Sequence, residues 1–131
     1  MIYYTATDDI KVTAELYAEW LGHTPGFKGI AYNERVVVAK DGNKVIGAAI
    51  VIMVIDRIFD RAWALVENVY VLKKYRNKGI GKGLMKFIET QYLVSGEVAF
   101  IKLTSGKDDG IRLYRNLGYE EGSSFRKDRV V

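Results

Sequence analysis

Arg76-Asn77-Lys78-Gly79-Ile80-Gly81-Lys82-Gly83 is the stretch on which the reading of this chain turns. Before it, Glu67-Asn68-Val69-Tyr70-Val71 has the β-branched and aromatic content of a strand. After it, Ile80, Leu84, Phe87, Ile88 and Gln91 or Tyr92 fall on one helical face. A strand therefore ends in a glycine-rich turn that opens a helix. The first N–H groups of a helix lack intrahelical partners and carry partial positive charge, and glycine lets a ligand approach that backbone closely. The turn is suited to an anion, a phosphate above all. Lys73, Lys74, Arg76, Lys78, Lys82 and Lys86 cluster around it, and no acid occurs between Glu67 and Glu89. A solvated basic face or a weak nucleic-acid patch is the competing reading of that cluster.

Two familiar phosphate loops do not fit. A Walker A loop needs Gly, four residues, Gly-Lys and then Ser or Thr, whereas here Gly83 follows Lys82 and Arg76 stands where the first Gly belongs. A dinucleotide fingerprint needs a third Gly three residues after Gly81, where this chain has Leu84. ATP and NAD lose their main support.

Outward from the turn, the pattern predicts an alternation of elements. Ile2 to Thr5 reads as a short strand, and Thr7 or Asp8 as the cap of a helix buried through Ile10, Ala14, Tyr17, Ala18 and Leu21. Gly22 to Asn33 has no period and reads as a loop. Val36 to Lys40, Asp41-Gly42-Asn43 and Lys44 to Ile55 read as a hairpin, and a second turn near Asp56 to Arg61 leads into a strand from Trp63 to Val71. Beyond the central helix, Val98 to Leu103 reads as a buried strand. Asp109 to Leu117 reads as a helix stopped by Gly118, and Tyr119 begins a last strand or tail. The order predicts an α/β domain with a mostly antiparallel first half.

The pattern Arg-x-x-Gly-x-Gly at Arg76 to Gly81, behind the strand Glu67 to Val71, resembles the acetyl-CoA pyrophosphate loop of the GNAT superfamily of N-acetyltransferases. A second match follows in order: Tyr114-Arg115-Asn116-Leu117-Gly118-Tyr119 resembles the Tyr-x-x-x-Gly-Phe/Tyr segment after the superfamily's fifth strand. Tyr114 also reads as a plain core aromatic near Leu113 and Leu117. Ile101 to Asp108 is similar to the strand and exit loop of small bacterial members, and the whole resembles the compact branch that includes glucosamine-6-phosphate N-acetyltransferase. The likeness runs from about Val36 to Tyr119. The chain before Asn33 is short for the superfamily, and Ser105 and Gly106 stand where many members have Asn.

The resemblance implies one N-acetyltransferase domain over 1–131, an α/β (α+β) fold whose mixed, mostly antiparallel central sheet is flanked by helices. It implies acetyl-CoA as acetyl donor, no metal, and direct attack by a primary amine of a small molecule or protein. Val69, Tyr70 and Val71 would hold the pantetheine arm, with Arg76, Asn77, Lys78, Gly79, Ile80, Gly81 and Lys82 around the pyrophosphate. Lys73, Lys74, Lys82 or Arg115 would reach the ribose phosphate. Tyr114 would protonate the departing CoA thiolate. Glu67 would take the acceptor's proton, directly or through water, or only hydrogen-bond the acceptor. The acceptor would enter between Leu21 to Asn33 and Asp56 to Ala62, where His23, Phe27, Tyr32, Arg57 and Arg61 are available; Tyr32 and Glu67 are its expected contacts. Arg57 and Arg61 read either as surface charges or as a sign of a carboxylate or phosphate on the acceptor.

Composition narrows the alternatives. The 131 residues suit one core, and the absence of cysteine excludes disulfides, thiolate metal sites and a Cys nucleophile. The apolar run Val45 to Ile55 is about half the ~20 residues a membrane span needs, and Met1 to Thr7 does not read as a signal peptide, so a cytoplasmic protein without membrane partners is expected. Aromatics do not interleave the lysines as a stacking platform would, which disfavours nucleic acid. A non-catalytic acyl-CoA-binding regulatory module is the rival from another class, and the presence of Tyr114 and Glu67 argues against it. An exposed edge strand and the apolar tail Val130-Val131 would suit a homodimer, which is common in the superfamily.

Overall fold

A computed structural model describes residues 1–103, 108–121 and 125–129. Strand β1 (Ile2–Thr7) leads through a 3-10 turn (Ile10–Thr13) into helix α1 (Ala14–Leu21). The cap is Asp9, not Thr7 or Asp8: its carboxylate accepts from the Lys11 N–H at 3.1 Å, while the Thr7 hydroxyl accepts from the Asp9 N–H. Leu16 and Tyr17 are the buried residues of α1, and Leu21 is half exposed. After Gly22, which ends the helix in the left-handed conformation, the chain has no regular structure until β2 (Glu34–Asp41).

β2 and β3 (Lys44–Asp56) form the expected hairpin about Gly42 and Asn43, and β4 (Arg61–Val71) returns from a turn in which the Asp56 carboxylate accepts from the Ile58 and Phe59 N–H groups. A 3-10 turn (Lys73–Tyr75) precedes α2 (Ile80–Ile88). A wide π-helical turn (Glu89–Val94), β5 (Phe100–Leu103), α3 (Asp108–Asn116), β6 (Glu120–Glu121) and β7 (Phe125–Asp128) follow. β5 begins two residues later than Val98, whose N–H caps the π turn by donating to the Tyr92 carbonyl.

The strands make one seven-stranded sheet in the order β1-β2-β3-β4-β5-β7-β6, antiparallel everywhere except between β4 and β5. That parallel pair needs a crossover, and α2 supplies it. One core lies under α2 and α3, built on Val37, Ile46, Val51, Val66, Leu84, Met85, Ile88, Ile101 and Tyr114. A smaller core on the opposite face joins Leu16 and Tyr17 of α1 to Val36, Val38, Ala48 and Tyr70. This is the expected mixed, mostly antiparallel sheet flanked by helices. Gly47 and Gly83 let the layers close: a Cβ on Gly47 would lie 3.2 Å from both Ile80 and Leu84, and one on Gly83 would overlap the Tyr4 hydroxyl. Among the described residues, no helix is long and apolar enough to cross a membrane.

Candidate functional site

The site starts with a fault in β4. Ile50 faces Glu67 and Ala48 faces Tyr70, so Ala49 alone opposes both Asn68 and Val69. The extra residue is accommodated because Asn68 adopts φ +55°, which Asn tolerates better than most side chains. Its displaced carbonyl accepts from the buried Tyr17 hydroxyl at 2.7 Å. β5 pairs with β4 only at Ala64, Leu65 and Val66, so past Val66 the two parallel strands part and the β5-facing edge of β4 has no strand partner among the described residues.

A cleft of about 700 Å³ opens where they part. Asn68, Val69, Tyr70 and Val71 form one wall. Gly110, Arg112, Leu113, Tyr114 and Asn116 of α3 form the other, and Arg76, Asn77, Gly79, Ile80, Gly81 and Lys82 close the end, with Trp20 and Tyr75 at the margin. At that end the chain turns through left-handed Asn77 (φ +62°) and Gly79 (φ +82°), and Gly79 is the N-cap of α2 without any side-chain cap. The first intrahelical bond runs from the Gly83 N–H to the Gly79 carbonyl, so the N–H groups of Ile80, Gly81 and Lys82 precede it at the cleft end and have no acceptor among the described residues. A Cβ on Gly81 would lie 3.2 Å from Leu113, so any larger residue narrows the space between α2 and α3. Positive dipole and Arg76, Lys82 and Arg112 give this end the electrostatics of an anion site.

The tip of α1 braces the wall. The Glu19 carboxylate accepts from the Tyr70 hydroxyl at 2.8 Å and from the Lys73 N–H at 3.0 Å. The Lys73 N–H first, and then the Tyr70 hydroxyl, hold the Glu19 carboxyl below the usual carboxylate range; desolvation opposes them. Trp20 stacks on Tyr70 with centroids 5.2 Å apart, and the Arg76 guanidinium lies 5.0 Å from the same ring while its Nε donates to the Val71 carbonyl at 3.0 Å. Tyr114 is 4 % exposed and burial pushes its phenol up to about 12.

Of the residues expected at the donor site, Val69, Tyr70, Val71, Arg76, Asn77, Gly79, Ile80, Gly81 and Lys82 line the cleft together with Tyr114. Lys78 does not; its ammonium lies over the Tyr75 ring. Lys73, Lys74 and Arg115 are also outside the lining, Arg115 being paired with Glu121, and Arg112 stands at the cleft instead. Glu67 is half-buried on the α1 face of β4, beside the bulge and outside the lining. Tyr32 is 100 % exposed in the turn before β2 and contributes nothing to the cleft. Ser105, Gly106, Val130 and Val131 lie outside the described residues. Sequence reading missed Trp20, Asn68, Tyr75, Arg112 and Asn116. Asn68 and Asn116 had a signal, their places inside the Glu67 to Val71 and Tyr114 to Tyr119 segments; Trp20, Tyr75 and Arg112 reach the cleft through a stack, a 3-10 turn and a helix face.

Residues 32–121 match the sequence family described as Acetyltransferase (GNAT) domain. No curated protein sequence matches the chain. Among solved structures, the ribosomal-protein-alanine N-acetyltransferase of Brucella melitensis biovar Abortus 2308 superposes with a TM-score of 0.76 at 16% identity, over 92% of this chain and 93% of that one. An aminoglycoside acetyltransferase from an uncultured soil metagenomic sample, in complex with sisomicin, gives 0.77 at 16% identity, over 92% and 91%. A predicted acetyltransferase from Clostridium acetobutylicum, with acetyl-CoA, gives 0.72 at 16% identity, over 93% and 92%. At these identities the superpositions establish the fold.

Proposed function

We propose, for a chain that belongs to the acetyltransferase (GNAT) family, that the cleft between β4 and α3 binds acetyl-CoA and that the protein transfers the acetyl group to a primary amine. The observation that carries this is one continuous cleft whose end is an uncapped helix N-terminus with added cations, and whose wall is a strand edge released by the Asn68 bulge. A pyrophosphate suits the first, and an amide-bearing arm suits the second. Space for the pyrophosphate depends on Gly81, where a side chain would press on Leu113.

Acetyl-CoA brings an activated thioester, and the protein's work is alignment, carbonyl polarisation and proton management. Arg76, Lys82 and Arg112 balance phosphate charge. The edge of β4 at Val69 and Val71 orients the arm, although the Val71 carbonyl is already an acceptor for Arg76. Tyr114, inside the cleft and protonated throughout the neutral range, faces the departing thiolate as hydrogen-bond donor. Glu67, on the opposite face where the strands part, is the group placed to receive or orient the incoming amine. The compact-branch likeness adds a sugar-phosphate amine to the acceptors worth assaying. Thiol release from acetyl-CoA across a panel of amines tests the reading: amine-dependent release that falls on Gly81→Val supports it. Release that ignores both amine and substitution overturns it.

A further inference from the structure

The sheet face opposite α2 and α3 carries a cluster, built around the buried Phe100, that lies outside the cleft. Ala64 and Val66 enter the core under α2, so alternation sends Trp63, Leu65 and Glu67 to the other face. Ile101 and Leu103 of β5 and Phe125 of β7 are core residues, so Phe100, Lys102 and Arg126 share that face. The smaller core beneath α1 reaches only as far as β4, at Tyr70. Beyond it, the Trp63 and Phe100 rings stack with centroids 5.5 Å apart. Three cations gather on them: Lys102 Nζ lies 5.1 Å from the Trp63 centroid, and the guanidiniums of Arg126 and Arg61 lie 3.8 and 5.0 Å from that of Phe100.

Arg126 is paired with Asp128 at 2.6 Å and Arg61 with Asp56 at 3.8 Å. Lys102, half-buried in the middle of the sheet, has no carboxylate partner among the described residues, and neither does Glu67 have a cation. Asp128 and Asp56 offset the charges of Arg126 and Arg61, whereas cation–π contact compensates the Lys102 ammonium only in part. An anion beside Lys102 would relieve that cost. Lys102 stands opposite Leu65 in the β4–β5 ladder, and Glu67 is two residues further, about 7 Å along the strand, where the ladder ends and the cleft opens. A carboxylate at the end of the ladder and an ammonium that leans back over Trp63 and Phe100, both without an oppositely charged partner among the described residues, thus share the face that α2, α3 and the main core leave free.

We propose that this face binds a zwitterionic acceptor, its amine at Glu67 and a carboxylate or phosphate several bonds away at Lys102, with Arg126 adding charge. The proposal rests on the acetyl-transfer reading and names its substrate class.

The test uses matched amines, γ-aminobutyrate against butylamine and O-phosphoethanolamine against ethanolamine, titrated into the CoA-saturated full chain and followed by the Trp63 indole and backbone N–H resonances. In at least one pair the member that carries the carboxylate or phosphate binds about tenfold more tightly than its twin without it, the size of one charge-assisted bond. Which pair shows the larger ratio separates carboxylate from phosphate. Lys102→Gln abolishes that ratio while the Kd of acetyl-CoA stays within about twofold, and Arg126→Gln, a second variant should the first not fold, reduces it. Twins that bind alike, no binding by either, or a ratio that survives Lys102→Gln overturns the proposal. Titration of the same samples with acetyl-CoA keeps the two claims apart: lost acetyl-CoA binding sinks the acetyl-transfer reading, and intact binding without anion preference sinks only this one.

Discussion

Replacing Tyr114 by Phe removes one oxygen from a residue that is both a core aromatic and the proposed donor to the thiolate. Its ring packs on Tyr119 and Phe125, with centroids 6.1 and 5.5 Å away, and Phe keeps those contacts, so the fold is expected to survive. The phenol's role follows from its acidity. Burial has pushed the Tyr114 phenol up to about 12, above the range of a thiol, so complete proton transfer to the thiolate is uphill. In the proposed mechanism Tyr114 therefore acts chiefly as a fixed hydrogen-bond donor to the charge developing on sulfur, with solvent completing the protonation. Loss of one such donor in a dry site costs about 3 kcal/mol, roughly a hundredfold in kcat. The assay is steady-state thiol release beside calorimetric acetyl-CoA binding: kcat falls about a hundredfold and the Kd changes less than about threefold. A kcat within threefold of the parent refutes the role; a parallel loss of affinity shows that the phenol holds the donor in place rather than serving the reaction.

Gly83→Ala brings about 1 kcal/mol of helix propensity but places a methyl on the Tyr4 ring, and a net loss of about 1–3 kcal/mol is expected in urea unfolding. In a Tyr4→Ala background the same change stabilises, and equal losses in both backgrounds would contradict the packing account. Lys127→Met strands Glu89, a residue 7 % exposed whose carboxylate accepts from Lys127 at 3.1 Å, and should cost about 3–5 kcal/mol by denaturant titration. A loss below about 1 kcal/mol would show that water already serves Glu89. Tyr114, Tyr17 and Tyr119 all hold their protons above the ordinary phenol value, chiefly through burial. Their contribution is complete below about pH 10, where unfolded phenols begin to ionise, and is lost as pH rises through the folded values. Stability measured from pH 9 upward should therefore fall with an unfolded state that releases more protons, and a flat profile to pH 12 would contradict the burial.

The glycine turn and the Tyr114 segment were legible because each depends on local chemistry: backbone exposure at a helix start and one aromatic ahead of a left-handed glycine. The hairpins were legible because turn residues separate β-branched runs. The π turn at Glu89–Val94 was not, since a widened turn breaks the period that identifies a helix face; it buries both Tyr92 and Leu93 and turns Glu89 inward to Lys127. The bulge at Asn68 is likewise invisible in a run of strand formers, because it exists through the register of the neighbouring strand. Trp20 falls on a half-exposed helix position and reaches the cleft only through its stack on Tyr70. Tyr32 looked like a loop aromatic near an acceptor, and the structure leaves it wholly in solvent.

Calorimetric titration with acetyl-CoA, with CoA and ATP alongside, tests the central claim most directly. The cleft predicts saturable acetyl-CoA and CoA binding that weakens on Gly81→Val, without a comparable response to ATP. No binding at millimolar acetyl-CoA, or equal binding of ATP, would contradict the assignment of the uncapped α2 terminus and the β4 edge to one acetyl donor.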